Sequence, residues 1–191
     1  MASVYHVTST DRLASIEQAG LRPDIYSAHR LDSRSDWGRF ELEIESICPP
    51  YLRDVGVTRK FATFAHADEA SSVAWYGRCT MGGVPSKRRL AILAVAIDPR
   101  NTFVADASLA TRRTATEYWA GTITVHQLWE QYEPTPTGAW QRTHLGQFGW
   151  NEMPEYYTMP EVIIPDLVEP NRLAVHSLSL YPIKTQTSWY F

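Results

Sequence analysis

The sequence has few of the features that assign a protein to a class by composition alone. Only 2 of its 191 residues are cysteine, and their wide separation fits two reduced thiols better than a disulfide framework or a zinc site. No apolar run approaches the roughly 20 residues of a membrane helix. The N-terminus lacks the charged-then-apolar pattern of a secretion signal. We therefore expect a soluble, cytoplasmic protein.

An excess of positive charge is also missing. Lys and Arg number 18 against 21 Asp and Glu, and the formal net charge of −3 gives no global field for phosphate contacts. Basic residues bunch at Arg53, Arg59 and Lys60, and again at 87–89. We interpret both groups as solvated faces in preference to a nucleic-acid groove. With 44% apolar residues, the chain can bury one core, and we expect a single domain over residues 1–191.

The opening of the chain predicts a strand followed by a capped helix. Residues 3–8 alternate so that Val4, His6 and Thr8 share one face. The helix signals are a cap at Ser9 or Thr10, apolar positions at Leu13 and Ile16, and a stop at Gly20.

Further elements follow from periodicity and from turn residues. Strands are predicted at 61–65, 90–97, 103–105 and 172–180, with helices at 68–76, 110–119 and 125–132. The interval 24–56 has no steady period except a short helix near 40–47, which Pro49-Pro50 would break. Two interpretations of this interval stay open, a flap over a site and a weakly marked pair of helices.

A carboxylate stands at the head of a short β-branched run in Met159-Pro160-Glu161-Val162-Ile163-Ile164-Pro165. The prolines favour an extended, buried strand over 162–164. An unpaired buried carboxylate is costly, so Glu161 either faces water, meets a cation or lines a cleft where it is used.

Two stretches resemble ADP-ribosyltransferases. Tyr5-His6-Val7-Thr8-Ser9 resembles the aromatic-His-x-Thr opening of the diphtheria-toxin-like and poly(ADP-ribose)-polymerase-like branch, and 159–165 resembles the strand of the catalytic Glu. The arginine-specific branch would have Arg in place of His6. The resemblance implies an α+β fold with two packed, mostly antiparallel sheets, flanking helices and a central NAD cleft.

The resemblance also implies roles for individual residues. Glu161 would be catalytic, accepting the 2′-hydroxyl proton of the ribose as positive charge develops there. NAD would be the substrate, and no metal is implied. Family members often place a Tyr on the second strand, stacked on nicotinamide; here Thr63 holds that position, and Phe64 or Tyr76 would supply the ring unless both are core aromatics. The implied NAD-binding residues are His6, Thr8, Ser9, Thr63, Phe64 and Tyr76.

The acceptor of the ADP-ribose is predicted from the residues around Glu161. Arginine-directed members have Glu or Gln two residues earlier, where this chain has Met159. The closing Trp189-Tyr190-Phe191 is similar to the aromatic C-terminus of DarT-type toxins, which modify single-stranded DNA. Aromatic residues stack on an unpaired base at about 1–3 kcal/mol per base. The implied acceptor-binding residues are Trp150, Tyr156, Tyr157 and Met159.

We therefore predict an NAD-dependent mono-ADP-ribosyltransferase toxin that acts on a nucleic-acid base, in single-stranded DNA or RNA, in preference to a protein. An antitoxin or immunity protein is the implied partner. The alternatives are a protein-modifying toxin or effector, an NAD glycohydrolase and an inactive binding module. Weaker alternatives are a glycosidase pairing Glu161 with Glu152 or Glu155, and a cysteine hydrolase built on Cys79.

Overall fold

Seven strands form two antiparallel sheets in the part of the chain that the computed structural model describes, residues 2–22, 36–59, 61–66, 72, 90–131 and 160–179. The strands are β1 (Ala2–Ser9), β2 (Thr63–Ala65), β3 (Leu90–Ile97), β4 (Phe103–Asp106), β5 (Ile123–Thr124), β6 (Pro160–Ile164) and β7 (Leu173–Ser179). The helices are α1 (Leu13–Ala19), α2 (Asp36–Ser46), α3 (Pro50–Arg53), α4 (Ala115–Ala120) and α5 (Val125–Gln131). The predicted α+β class with two antiparallel sheets is confirmed.

The first sheet has the strand order β1-β3-β7. Its centre is β3, which consists only of apolar residues because it is paired on both edges and packed against the rest of the core. The antiparallel register places Val4 opposite Val95 and His6 opposite Leu93. The prediction that 90–97 is the central strand is confirmed.

The second sheet has the strand order β2-β6-β4-β5. All five residues of β6 are buried, including Glu161. Pro160 occupies the first position of the strand, where a missing N–H is tolerated. In the register, Glu161 lies opposite Ala105 of β4, and Val162 lies opposite Ala65 of β2.

Among the described residues, one isolated backbone bridge joins the two sheets. The backbone N–H of Tyr5 donates to the carbonyl of His66, and the N–H of His66 donates back to the carbonyl of Tyr5, both at 2.8 Å. Across this bridge the strands follow one another as β5-β4-β6-β2-β1-β3-β7. The strands β1, β2 and β6 are therefore consecutive neighbours.

Strand alternation divides the interior into two apolar cores. One lies between the sheets and includes Val4, Leu93, Val162 and Ile164. The other lies between the second sheet and the helices, and its buried residues are Ile44, Cys48, Leu52, Val57, Ala62, Ala105, Ala115, Tyr118, Trp119 and Ile163. Glu161 shares the strand face of Ile163, whereas His6 shares that of Val4.

The predicted N-terminal helix is confirmed, with one correction to its start. A 3-10 turn over Thr10–Arg12 precedes α1, and the side chain of Ser9 makes no capping hydrogen bond. Gly20 ends the helix with φ of +76°, and a Cβ there would lie 2.2 Å from the carbonyl oxygen of Val168. That position therefore requires glycine.

The interval predicted as either a flap or a helix pair is a helix pair where it is described. Residues 36–53 contain α2 and α3, and Pro50 begins α3 instead of only breaking a helix. Ile44, Leu52 and Val57 are buried, so the flap interpretation is wrong for this part. Residues 24–35 lie outside the described part of the chain.

The strands predicted at 61–65, 103–105 and 172–180 and the helices predicted at 110–119 and 125–132 are present with shifted bounds. The helix predicted at 68–76 lies outside the described residues, except for residue 72. The helix predicted from 110 begins at Ala115, because a 3-10 turn over Ala107–Leu109 comes first. The two-residue strand β5 was not predicted. Among the described residues, no helix is both long and apolar enough to cross a membrane.

Candidate functional site

Glu161 is the second residue of β6 and is 1% exposed. Its Oε1 accepts two hydrogen bonds, one from Arg59 Nη1 at 2.8 Å and one from the Tyr118 hydroxyl at 2.7 Å. Of the three environments that the sequence left open, the carboxylate therefore meets a cation. The interpretation of Glu161 as a solvated strand-end residue is wrong.

Arg59 is the centre of this cluster and is 2% exposed. Its Nε and Nη2 donate to the two carboxylate oxygens of Glu41, at 2.5 and 3.1 Å, and its Nη1 also donates to the Tyr118 hydroxyl at 2.8 Å. The guanidinium carbon lies 5.0 Å from the centroid of the Phe64 ring. Together, Glu41, Arg59, Tyr118 and Glu161 form what we call the buried carboxylate cluster.

The protonation of the cluster follows from these contacts. Burial acts to lower the pKa of Arg59, but its contacts with Tyr118, Glu161 and Glu41 outweigh this effect and raise the pKa well above the ordinary value. Burial, with the Glu161 carboxylate beside it, raises the pKa of Tyr118 well above its ordinary value. At neutral pH the guanidinium is therefore charged, and the phenol keeps the proton that it donates to Glu161.

The local sequence explains why these groups meet. Glu41 lies three residues before Ile44 on α2, so a carboxylate replaces one apolar position on the buried face of that helix. Glu45 on the same helix accepts a hydrogen bond from the backbone N–H of Arg59 at 2.7 Å. The indole of Trp119 donates to the carbonyl of Ile44 at 2.8 Å. These bonds hold α2, α4 and the segment after α3 against the second sheet.

One of the two carboxylate oxygens of Glu161 has no hydrogen-bond partner among the described residues. Among the described residues, Glu161 Oε2 and Thr8 Oγ1 are the two buried side-chain oxygens that have no hydrogen-bond partner. Buried polar atoms are nearly always paired, and an unpaired one costs about 1–3 kcal/mol. The sequence assigned a catalytic role to Glu161 and a role in NAD binding to Thr8, but strand alternation places the two oxygens on opposite faces.

The contacts of the cluster leave one acceptor open. Arg59 contacts both Glu41 and Glu161, and Tyr118 adds a second donor to Oε1 of Glu161. Oε2 of Glu161 is therefore a buried acceptor that a hydrogen-bond donor can satisfy.

His6 lies at the seam between the two sheets. Its Nδ1 donates to the carbonyl oxygen of Phe64 at 2.8 Å. This hydrogen bond joins the imidazole to β2, in addition to the backbone bridge between Tyr5 and His66. This bond places the proton of a neutral ring on Nδ1 and leaves Nε2 as the acceptor nitrogen.

The structure brings together only some of the predicted site residues. Phe64 and Glu161 share one face of the second sheet, with Arg59 against both. By strand alternation, the side chains of His6, Thr8 and Thr63 belong to the face between the sheets, so they do not converge with Glu161 on one face. Ser9 is buried at the end of β1. Outside the described residues lie Tyr76, Trp150, Tyr156, Tyr157 and Met159.

Sequence reasoning missed Glu41, Arg59 and Tyr118. Arg59 was interpreted as part of a solvated basic face, and this is wrong because the residue is buried. The available signal was Glu41, a carboxylate at an apolar helix position, since such a residue needs a buried cation elsewhere in the chain. Nothing local to Tyr118 distinguishes it from an ordinary core aromatic.

The described residues contain no group of three or more His, Cys, Asp or Glu arranged to hold a metal ion. No protein-family model, no curated protein and no solved structure matches the chain. The assignment of a function therefore rests on the residues and contacts described above.

Proposed function

We propose that the chain is an NAD-dependent mono-ADP-ribosyltransferase with Glu161 as its catalytic residue. The buried carboxylate cluster and the order of the strands support this proposal, together with the resemblance of the two motifs. The proposal includes the ADP-ribosyltransferase fold for the two antiparallel sheets.

The three segments singled out by the resemblance are neighbours in space. The strand of His6, the strand of Thr63 and Phe64, and the strand of Glu161 are β1, β2 and β6. Extending the β2–β6 register by one residue puts His66 opposite Glu161, and Tyr5 is bridged to His66. With neighbouring strands about 4.8 Å apart, the backbones of Tyr5 and Glu161 are roughly 10 Å apart. Because the His6 side chain belongs to the opposite face, this proximity concerns the strands and not the two side chains.

The observation that supports the proposal most directly is the hydrogen bonding of the Glu161 carboxylate. Oε1 is held by two donors, while Oε2 is buried without a partner among the described residues. A carboxylate fixed in this way holds Oε2 in one orientation, ready to accept a hydrogen bond from a substrate group that reaches it.

That environment suits cleavage of NAD. In this reaction the bond between the ribose and the cationic nicotinamide breaks, its electron pair neutralises the nicotinamide, and the acceptor forms a bond to the ribose carbon and loses a proton. Oε2 of Glu161 would accept the 2′-hydroxyl proton in a hydrogen bond that strengthens as the ribose becomes positive. Arg59 and Tyr118 would keep the carboxylate in place.

For the acceptor we propose a base of single-stranded DNA or RNA in preference to a protein side chain. The support comes from the sequence: Met159 stands where arginine-directed relatives have Glu or Gln, and aromatic residues precede Glu161. A toxin of this type would be kept in check by an antitoxin or immunity protein. The test incubates NAD labelled in its adenylate part with single-stranded DNA, RNA and a cell lysate. Label confined to protein would overturn the nucleic-acid preference.

A second candidate function is a binding module without catalytic activity. The observation in its favour is that Glu161 is 1% exposed and already paired with Arg59. In that case the cluster would serve stability alone. The Glu161→Gln variant separates the two: a catalytic Glu161 gives a folded protein without turnover, whereas a binding module gives no turnover in the wild type with any acceptor.

A further inference from the structure

We propose that Arg59 and Tyr118 are positioning residues that select Oε2 of Glu161 as the reacting oxygen, and that Glu41 sets how strongly Arg59 acts on it. This inference rests on the proposed function and extends it to three residues outside the two motifs. Under this proposal, the reactivity of Glu161 on β6 depends on Glu41 of helix α2.

The selection of one oxygen follows from the asymmetry of the contacts. Both donors to Glu161 bind Oε1, and they also bind each other, because Arg59 Nη1 donates to the Tyr118 hydroxyl at 2.8 Å. The three groups form a closed triangle. Rotation of the carboxylate out of this plane would break two hydrogen bonds to its charged oxygen, and such bonds are stronger than those between neutral groups. Oε2 is therefore the oxygen that stays available.

Glu41 binds the other two nitrogens of the Arg59 guanidinium. It takes the Nε and Nη2 hydrogens in a bidentate pair, with a side chain that is fully buried. If Glu41 were neutral, the charge of Arg59 would act more strongly on Glu161. Glu161 would then be a weaker stabiliser of positive charge on a substrate. Glu41 therefore keeps Glu161 reactive without touching it.

The two positioning effects have opposite signs. Removing the Tyr118 hydroxyl removes a donor to the Glu161 carboxylate, so the acid limb of the activity profile should move to higher pH. Removing the charge of Glu41 removes a negative neighbour, so that limb should move to lower pH. The other described ionisable groups near Glu161 are Arg59, His66 across the β2–β6 register and Asp106 next to Pro160 in the β4–β6 pairing, and neither substitution changes them.

The test measures nicotinamide release from NAD against pH for Tyr118→Phe and Glu41→Gln. The matched controls are Tyr51→Phe, at a residue that is 60% exposed on α3, and Glu43→Gln, in an exposed pair with Arg112 on the same helix as Glu41. Tyr118→Phe should lower kcat about 10-fold with little change in KM and move the acid limb of the profile to higher pH. Glu41→Gln should also lower kcat but move that limb to lower pH. Each control should match the wild type.

Acid limbs that move in the same direction, or variants that match their controls, would overturn the inference. If Glu41→Gln fails to fold, Tyr118→Phe against Tyr51→Phe decides it alone. If the wild type releases no nicotinamide, the proposed function fails, and the positioning effect is then measured by carbon NMR titration of labelled Glu carboxyls, with Glu161→Gln used to assign the signal. Unchanged midpoints in both variants would refute the positioning effect itself.

Discussion

Arg59 and Glu161 are 102 residues apart in sequence, yet Nη1 of one lies 2.8 Å from Oε1 of the other, and both side chains are at most 2% exposed. The pair joins the segment after α3 to strand β6 of the second sheet. Since Arg59 also binds Glu41 and Tyr118, one guanidinium connects α2, α4 and β6. Several properties of the protein follow from this contact and from the groups around it.

Removing the guanidinium should destabilise the fold strongly. Arg59→Met would leave two buried carboxylates without their cation, and breaking a buried pair in this way costs about 3–5 kcal/mol. Urea unfolding followed by circular dichroism measures the loss. The matched control is Arg112→Met, because the ion pair of Arg112 with Glu43 has side chains that are 63% and 50% exposed, and such pairs contribute about 0–1 kcal/mol. Equal losses in the two variants would mean that the cluster does not stabilise the fold.

Glu45 should make stability depend on pH. Burial raises the pKa of this carboxyl above its ordinary value, although the Arg59 backbone N–H and the charges of Arg53 and Arg59 act against the rise. The folded state therefore binds the proton more tightly than the unfolded chain does, and stability is lost as the pH rises from the ordinary Glu value through the raised one.

Glu45→Gln keeps an acceptor for the Arg59 N–H and removes the ionisation. We expect the variant to match the wild type at pH 4 and below, and to be more stable at pH 7. Thermal unfolding across that range measures the difference, with exposed Glu117→Gln as the control. A variant that is less stable than the wild type at pH 7 would contradict the burial effect.

Cys48 should be an unreactive thiol. It is 3% exposed, its Sγ donates to the carbonyl of Val57 at 3.4 Å, and burial raises its pKa to about 11. At pH 8 only about one molecule in a thousand would then carry the reactive thiolate.

In the Cys79→Ser variant, Ellman's reagent should therefore react with Cys48 far more slowly in the native protein than in urea. The same variant fully unfolded is the control for reagent quality. A native reaction as fast as the unfolded one would mean that Cys48 is accessible and ionised.

The strands were predictable because their signals are local. The alternation of residue types predicted β1, the apolar run predicted β3, and the β-branched residues between two prolines predicted β6. Gly20 was predictable as a helix end because its positive φ is a local requirement. The two-residue β5 and the shortened α4 were missed because tertiary contacts decide elements of that length.

The carboxylate cluster was not predictable from local patterns. Arg59 looks like its basic neighbours in sequence, and only the packing of α2 against the second sheet shows that it is buried. Glu161 was found from its motif, but its partners come from distant segments. Pairings across 18, 43 and 102 residues carry no periodic signal in a single sequence.

The central claim is that Glu161 reacts through its unpaired oxygen, and nicotinamide release from NAD by the wild type and by Glu161→Gln tests it most directly. Gln retains an oxygen for Arg59 and Tyr118, so the variant should fold, and its stability is checked by thermal unfolding. We predict that the wild type releases nicotinamide in the presence of single-stranded nucleic acid. Release should fall at least about 100-fold in Glu161→Gln and stay unchanged in Glu117→Gln. Release by Glu161→Gln at the wild-type rate would contradict the account.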